Sequence, residues 1–158
     1  MSKKIVITGG SGFLGKTLAK RFPKRNLVIA DVREPHPEFK KNYVYTDVTD
    51  SYSIYEACKG ASHIYHLASN PFVPVGEKNP LYDVRLNIMG TINTINSAIQ
   101  NNSRMIFTST MLVGKEESNY QISKWSCEQY IKYYVHKKQL NCVVVRLENL
   151  YGPNQRVG

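Results

Sequence analysis

The sequence predicts an α/β fold: a doubly wound parallel sheet of about six strands, in the order 3-2-1-4-5-6, with helices on both faces. Three observations carry this. Short apolar runs alternate with amphipathic segments along the whole chain. The runs are apolar at consecutive positions, as strands covered on both faces must be. A glycine-rich turn joins the first run to the first amphipathic segment.

In order, Ile5-Val6-Ile7 reads as the first strand, residues 13–22 as the first helix, and Leu27-Val28-Ile29-Ala30 as the second strand. Tyr43-Val44-Tyr45, residues 63–67, Met105-Ile106-Phe107-Thr108 and Cys142-Val143-Val144-Val145 supply strands three to six. Helices are expected at about 51–59, 81–101 and 118–138, each crossing over right-handed to reach the next parallel strand. Residues 69–80 hold three prolines and are expected to form an irregular loop at the carboxyl end of a central strand, bordering the site.

Length and composition bound the rest. The 158 residues with 42% hydrophobic content suit one domain with a real core. No apolar run reaches the roughly 18 residues that span a bilayer, and the amino terminus passes directly into a strand pattern, so neither membrane insertion nor secretion is expected. Cys58, Cys127 and Cys142 are widely spaced and form no Cys-x-x-Cys pair, which argues against a disulfide framework or structural zinc and fits a cytoplasmic location. A formal charge of +9 suggests an anionic partner. The lysine pairs at 3–4, 40–41 and 137–138 sit at element ends and read as solvated edges, and no nucleic-acid-binding module is recognisable.

Thr8-Gly-Gly-Ser-Gly-Phe-Leu-Gly15 follows the first strand and opens the first helix. Gly9 permits the tight turn, Gly12 with Phe13 and Leu14 lets backbone N–H groups approach a pyrophosphate, and Gly15 lets the helix pack close to the sheet. Asp31 ends the second strand, where a carboxylate can accept hydrogen bonds from both hydroxyls of an adenosine ribose. Its charge would repel a 2′-phosphate, so NAD is favoured over NADP, although Arg33 leaves NADP open. Asp47 and Val48, at the end of the third strand, suit contacts to an adenine, with a plain strand-terminating Asp47 as the alternative. Leu67, Ala68 and Ser69, at the end of the fourth, would lie along phosphate and ribose, while His66 reads as a packed structural histidine.

Tyr120-Gln-Ile-Ser-Lys124 sets a phenol and an ammonium four residues apart on one helix face. A free tyrosine, with a pKa of about 10, is a poor base near neutrality; an adjacent Lys⁺ and a positive nicotinamide would favour the phenolate and let it take a hydroxyl proton.

With these pieces in place, the sequence resembles the extended short-chain dehydrogenases/reductases, within the NAD-dependent nucleotide-sugar epimerase/dehydratase family. The matching segments are the glycine turn, Asp31, Asp47-Val48, His66-Leu-Ala-Ser69, Asn87-Ile-Met-Gly-Thr91, Phe107-Thr-Ser-Thr110, Tyr120 to Lys124, and Arg146-Leu-Glu-Asn-Leu-Tyr-Gly-Pro153. The resemblance implies a Rossmann fold, Thr110 as the hydroxyl that bonds the reacting sugar oxygen (Ser109 being the alternative), Tyr120 as acid/base, and Lys124 on the nicotinamide ribose. It also implies Asn87 near the cofactor, Asn149 at a substrate diphosphate, and a homodimer through helices 81–101 and 118–138. Dehydratases of the family carry carboxylates just after the catalytic hydroxyl, where this chain has Met111-Leu112. C4 epimerisation of a UDP-sugar, by transient hydride transfer to bound NAD, is therefore the expected activity. The alternative is an NAD-binding module without turnover. Two features depart from the family: the connection from Thr110 to Tyr120 is short, and the sequence stops soon after Pro153. Residues 1–158 thus read as a cofactor-binding domain without the family's carboxyl-terminal substrate domain.

Overall fold

The computed structural model describes residues 3–115, 117–152 and 155. Glu116 of the short connection and Pro153 of the last motif lie outside them. The elements run β1 (Lys4–Thr8), α1 (Phe13–Ala19), β2 (Leu27–Asp31), β3 (Tyr43–Tyr45), α2 (Ser51–Cys58), β4 (Ala61–His66), α3 (Val73–Lys78), α4 (Pro80–Asp83), a π-helical turn (Val84–Met89), α5 (Gly90–Gln100), β5 (Arg104–Thr110), α6 (Asn119–His136) and β6 (Asn141–Leu147). Single 3₁₀ turns at Lys24–Asn26 and Pro37–Asn42 lead into β2 and β3. The described strands form one six-stranded sheet, ordered β3-β2-β1-β4-β5-β6 and parallel at every pairing. The topology is the expected one.

Strands apolar at consecutive positions are covered on both sides. Val6 and Ala30 enter the larger core, beneath α2, α5 and α6, with Ile54, Ile64, Ile95, Phe107 and Ile131. Their neighbours Ile7 and Ile29 point the other way, into a smaller core with Ala19 of α1 and Phe39. At β6 this second face is open, leaving Val143 and Val145 exposed. No described helix is long and apolar enough to cross a membrane. Cys58, Cys127 and Cys142 are free thiols, the first two buried.

Several boundaries differ from the sequence reading. Helix α1 stops at Ala19, because the Arg21 and Phe22 N–H groups turn back to Leu18 and Ala19 in 3₁₀ fashion ahead of Pro23. β3 ends at Tyr45, two residues before Asp47. The stretch expected to be an irregular loop contains helix α3, where Pro74 sits in the first turn and its missing N–H costs no helical bond. The single helix expected over 81–101 is α4, the π turn and α5 in succession, starting from Pro80 with Asn79 as its cap. The apolar side chains of this stretch and of α6 divide between core and solvent. Ile95 is fully buried against the sheet and Ile131 of α6 nearly so, whereas Val84 and Ile122 face solvent.

Candidate functional site

The carboxyl ends of β1, β2, β4, β5 and β6 converge at one edge of the sheet, where a doubly wound fold places its ligand crevice. At β1 the glycine turn is fixed by sterics. Gly9 has φ of 67°, and a Cβ there would stand 2.7 Å from the Ala68 nitrogen, so the turn lies directly on the chain leaving β4. A Cβ at Gly15 would stand 2.6 Å from the Gly9 carbonyl oxygen, so α1 touches the turn through bare backbone. Gly12 is the N-cap of α1, and no side chain caps that end. The helix N-terminus therefore presents its partial positive charge where a pyrophosphate would lie. Phe13 and Leu14, half-buried, form the first turn.

Asp31 is buried at the end of β2, 5% exposed. Its Oδ2 accepts the Ser11 N–H at 3.0 Å and its Oδ1 accepts the Arg33 N–H at 2.9 Å. The Arg33 Nε stands 3.5 Å from Oδ1, and the Ser11 hydroxyl donates to the Arg33 carbonyl at 2.7 Å. The carboxylate thus ties the glycine turn to the end of β2, with Arg33 over it. Asp47 closes its own turn, accepting the Thr49 N–H and hydroxyl, both at 2.8 Å. Val48 is buried against Gly90.

Beyond β4, the Leu67 N–H bonds the Thr8 carbonyl at 3.1 Å and the Ala68 N–H reaches the Thr8 hydroxyl at 3.4 Å. Ser69 follows, half-buried. His66 is a packed residue, as expected. Its Nδ1 meets the Thr8 hydroxyl at 2.7 Å, its Nε2 meets the Thr91 hydroxyl at 3.1 Å, and its ring stacks on Phe107. Burial, reinforced by Lys124, pushes its pKa down to about 3 and keeps the imidazole neutral.

On α6, Ser118 caps the helix by accepting the Gln121 N–H, and Tyr120 lies in the first turn. Lys124, one turn on, is 3% exposed. Its ammonium donates to the Thr108 carbonyl at 2.7 Å and lies 4.6 Å from the centre of the Phe107 ring. Burial brings its pKa down to about 8, against the opposing pull of Cys127 and Glu128. The two hydroxyls at the end of β5 part company. Ser109 donates to Glu128 at 2.5 Å, and Glu128 also takes two hydrogen bonds from Arg146, at 3.0 and 2.7 Å. Burial pushes the Glu128 carboxyl up, but these donors outweigh it and hold it below its ordinary value. The Thr110 hydroxyl accepts the Leu112 N–H at 3.2 Å and keeps its own proton to donate. Asn149 is exposed two residues past β6, whose last carbonyl, on Leu147, accepts the Met111 N–H.

The pKa of Tyr120 is raised, not lowered, by its protein surroundings. Burial, and then the charge of Asp83, push it above its ordinary value of 10, while the Lys124 ammonium is committed to the Thr108 carbonyl. Asn87 is fully engaged as well: its Oδ1 accepts the Asn70 N–H and its Nδ2 donates to Ser123, both at 2.8 Å, so it clamps the post-β4 segment to α6. The π turn swings this side chain inward. Asn70, Asp83 and Ser123 were not singled out by the sequence, because they act through one another across distant segments. No group of three or more His, Cys, Asp or Glu among the described residues is placed to hold a metal ion.

The sequence model of the NAD dependent epimerase/dehydratase family matches residues 5–158. The chain belongs to that family. The family's cofactor is NAD, in keeping with the glycine turn and with Asp31. Among curated relatives, UDP-glucose 4-epimerase of Rickettsia rickettsii is 29% identical over 70% of this chain and 37% of its own length. Mitochondrial L-threonine 3-dehydrogenase of Bos taurus is 25% identical over 99% of this chain and 48% of its own. The chain thus spans half or less of these relatives. Among solved structures, UDP-glucose 4-epimerase of Thermus thermophilus in complex with NAD has a TM-score of 0.85 at 24% identity, covering 97% of this chain and 57% of that one, a likeness of fold. The site residues above therefore sit in a Rossmann framework common to family members of different chemistry.

Proposed function

We propose that this chain is the cofactor-holding part of a nucleotide-sugar epimerase that inverts C4 of a UDP-sugar. The observation that carries the reading is the buried Lys124 ammonium, one helical turn from Tyr120 and pinned through the Thr108 carbonyl to β5, the strand that ends in Thr110. A buried cation costs stability, and a helix that carries it together with a phenol, bonded to the strand that ends in a hydroxyl, suits proton transfer at a sugar carbinol. Bound NAD would supply the acceptor, and then the donor, of the C4 hydride. Gly9, Gly12, Phe13, Leu14 and Gly15 would seat its pyrophosphate and Asp31 its adenosine ribose, with Asp47 and Val48 beside the adenine. Leu67, Ala68 and Ser69 would flank it, and Lys124 would meet the nicotinamide ribose. Thr110 holds the sugar O4, Tyr120 takes the O4 proton as the carbonyl forms, and Tyr120 returns it once the other face of C4 has been reduced. Asn149 would meet the substrate diphosphate. Met111 and Leu112, both exposed where a dehydratase would need carboxylates, favour epimerisation over elimination of water.

A second reading, an NAD-binding module without turnover, is favoured by one observation: the Lys124 ammonium is bonded to the Thr108 carbonyl, and burial raises the Tyr120 pKa. The two readings part on one experiment, incubation with NAD and UDP-galactose followed by separation of the UDP-hexoses. The epimerase reading expects UDP-glucose, and its loss in Tyr120→Phe with NAD binding retained. No conversion by the folded, NAD-bound chain leaves the binding module. Pairing of two copies through residues 81–101 (α4, the π turn and α5) and α6 belongs to the same proposal. It is supported by the exposed Leu81, Val84, Met89, Ile122 and Trp125.

A further inference from the structure

Cations that read from the sequence as scattered, solvated element ends are brought together by the topology. In a parallel sheet every strand is entered from the same end, and here each entry carries a cation. Lys4 opens β1, Arg25 precedes β2, Lys41 precedes β3, Lys59 precedes β4, Arg104 opens β5 and Lys138 stands ahead of β6. All but the half-buried Lys4 are exposed, as are Lys24, Lys40 and Lys137 beside them. The strand registers set these entries close to one level: Leu27 lies opposite Ile5, Lys4 opposite Ala61, and Arg104 opposite both His63 and Asn141. With neighbouring strands about 4.8 Å apart, the row from β3 to β6 is about 24 Å long.

Most carboxylates lie at the other end, with the crevice. Asp31, Asp47, Glu77, Glu117 and Glu148 stand at or beyond the carboxyl ends of β2 to β6. Glu38 and Glu56 are nearer the basic row, and Glu38 pairs with Lys24 at 3.6 Å. The net charge of +9 is thus concentrated on the edge opposite the crevice. A cation at the carboxyl end of a helix also offsets the helix dipole, and Lys4 does this for α2 by donating to the Lys59 carbonyl at 2.7 Å. Arg25, Lys41 and Arg104 make no such bond and pair with no carboxylate among the described residues. Like charges held in a row repel one another, and an anionic partner relieves that repulsion.

We propose that this edge docks on the headgroups of an anionic lipid bilayer, with the strand entries against the membrane and the crevice facing away from it. The docking is peripheral, since no described helix is long and apolar enough to cross a membrane. The form of the row favours a lipid surface over a nucleic acid. A duplex is contacted by a helix or ribbon set into its groove, whereas these cations are distributed over six separate strand entries along one sheet edge. Most of them are lysines, whose compact ammonium suits mobile headgroups and does not need the bidentate geometry of arginine. Each lysine or arginine near an anionic surface strengthens binding by about fivefold.

The test is sedimentation of the chain with vesicles of phosphatidylcholine, alone or with about one-third phosphatidylserine, at about 0.1 M salt. Binding is expected to the anionic vesicles only, and it should disappear at about 1 M salt, where the screening length falls to about 3 Å. The double variants Lys40→Ala/Lys41→Ala and Lys137→Ala/Lys138→Ala should each weaken binding by about thirtyfold, with the fold checked by circular dichroism. Lys78→Ala/Lys115→Ala removes the same charge from the crevice end and should weaken it far less. No binding to the anionic vesicles, equal binding to neutral ones, or an equal loss in the crevice-end variant overturns the proposal. Tighter binding of a random-sequence duplex than of the anionic vesicles at the same salt also overturns it, and would assign the row to nucleic acid. These readouts need neither NAD nor turnover, so they stand apart from the epimerase reading.

Discussion

Replacing Lys124 with methionine removes a charge that the fold buries at a cost, and the cost can be worked from the site. Burial takes the pKa of this ammonium from 10.5 to about 8. At about 1.4 kcal/mol per pH unit, the charged form is disfavoured by about 3 kcal/mol. Methionine fills a similar volume over the Phe107 ring but gives up the bond to the Thr108 carbonyl, which returns about 1 kcal/mol. The net expectation at pH 7 is a gain of about 2 kcal/mol, or about 4–8 °C in melting temperature for a chain of this size. The sign has a pH signature. Because the folded pKa lies below the unfolded one, the wild-type fold binds fewer protons between about pH 8 and 10.5, and its stability relative to the variant rises across that window. Thermal melts of both chains at pH 7 and pH 10.5 should therefore show the advantage of methionine shrinking at the higher pH. A variant less stable than wild type at pH 7, or equally advantaged at both, would refute the idea that Lys124 is kept at the expense of the fold.

Two further outcomes follow from the site. Gly9→Ala places a side chain at φ of 67° and 2.7 Å from the Ala68 nitrogen, and should destabilise the chain by at least about 2 kcal/mol in denaturant unfolding; a cost within experimental error would mean the turn can move. His66 has its pKa lowered from 6.5 to about 3, chiefly by burial, so below pH 6.5 the unfolded chain takes up a proton that the folded chain refuses. Stability should fall between those values by up to about 4–5 kcal/mol, and denaturant midpoints at pH 7 and pH 4 that coincide would contradict this.

Much of this molecule is legible in its sequence, for reasons that differ by element. Strand order and the two-sided core follow from runs such as Ile5-Val6-Ile7, whose neighbouring side chains enter different cores. The glycine turn is legible because strand, turn and helix are contiguous, so the steric demands at Gly9 and Gly15 are met within one short stretch. Helix α3 is hidden by its prolines, which signal a break yet are harmless in a first turn. The π turn leaves no periodic trace distinct from an ordinary helix. The electrostatics of Tyr120 are the least legible part. The spacing to Lys124 puts two groups on one face, but the Lys124 ammonium is drawn to the Thr108 carbonyl of β5, and the Tyr120 pKa is raised by burial and then by Asp83 of α4. Likewise, Ser109 and Thr110 are adjacent hydroxyls in sequence, and only Glu128 on α6 tells them apart.

The measurement that bears most directly on the cofactor site is the melting temperature of the wild-type chain with NAD, with NADP and without either. Any ligand bound only by the folded state stabilises it by about 2.7 kcal/mol at one hundred times its dissociation constant. A clear upward shift is expected with millimolar NAD, a smaller one with NADP, and loss of most of the NAD shift in Asp31→Ala, which removes the carboxylate proposed to hold the ribose. No shift with NAD, or one that Asp31→Ala leaves intact, would contradict the assignment of this crevice to NAD.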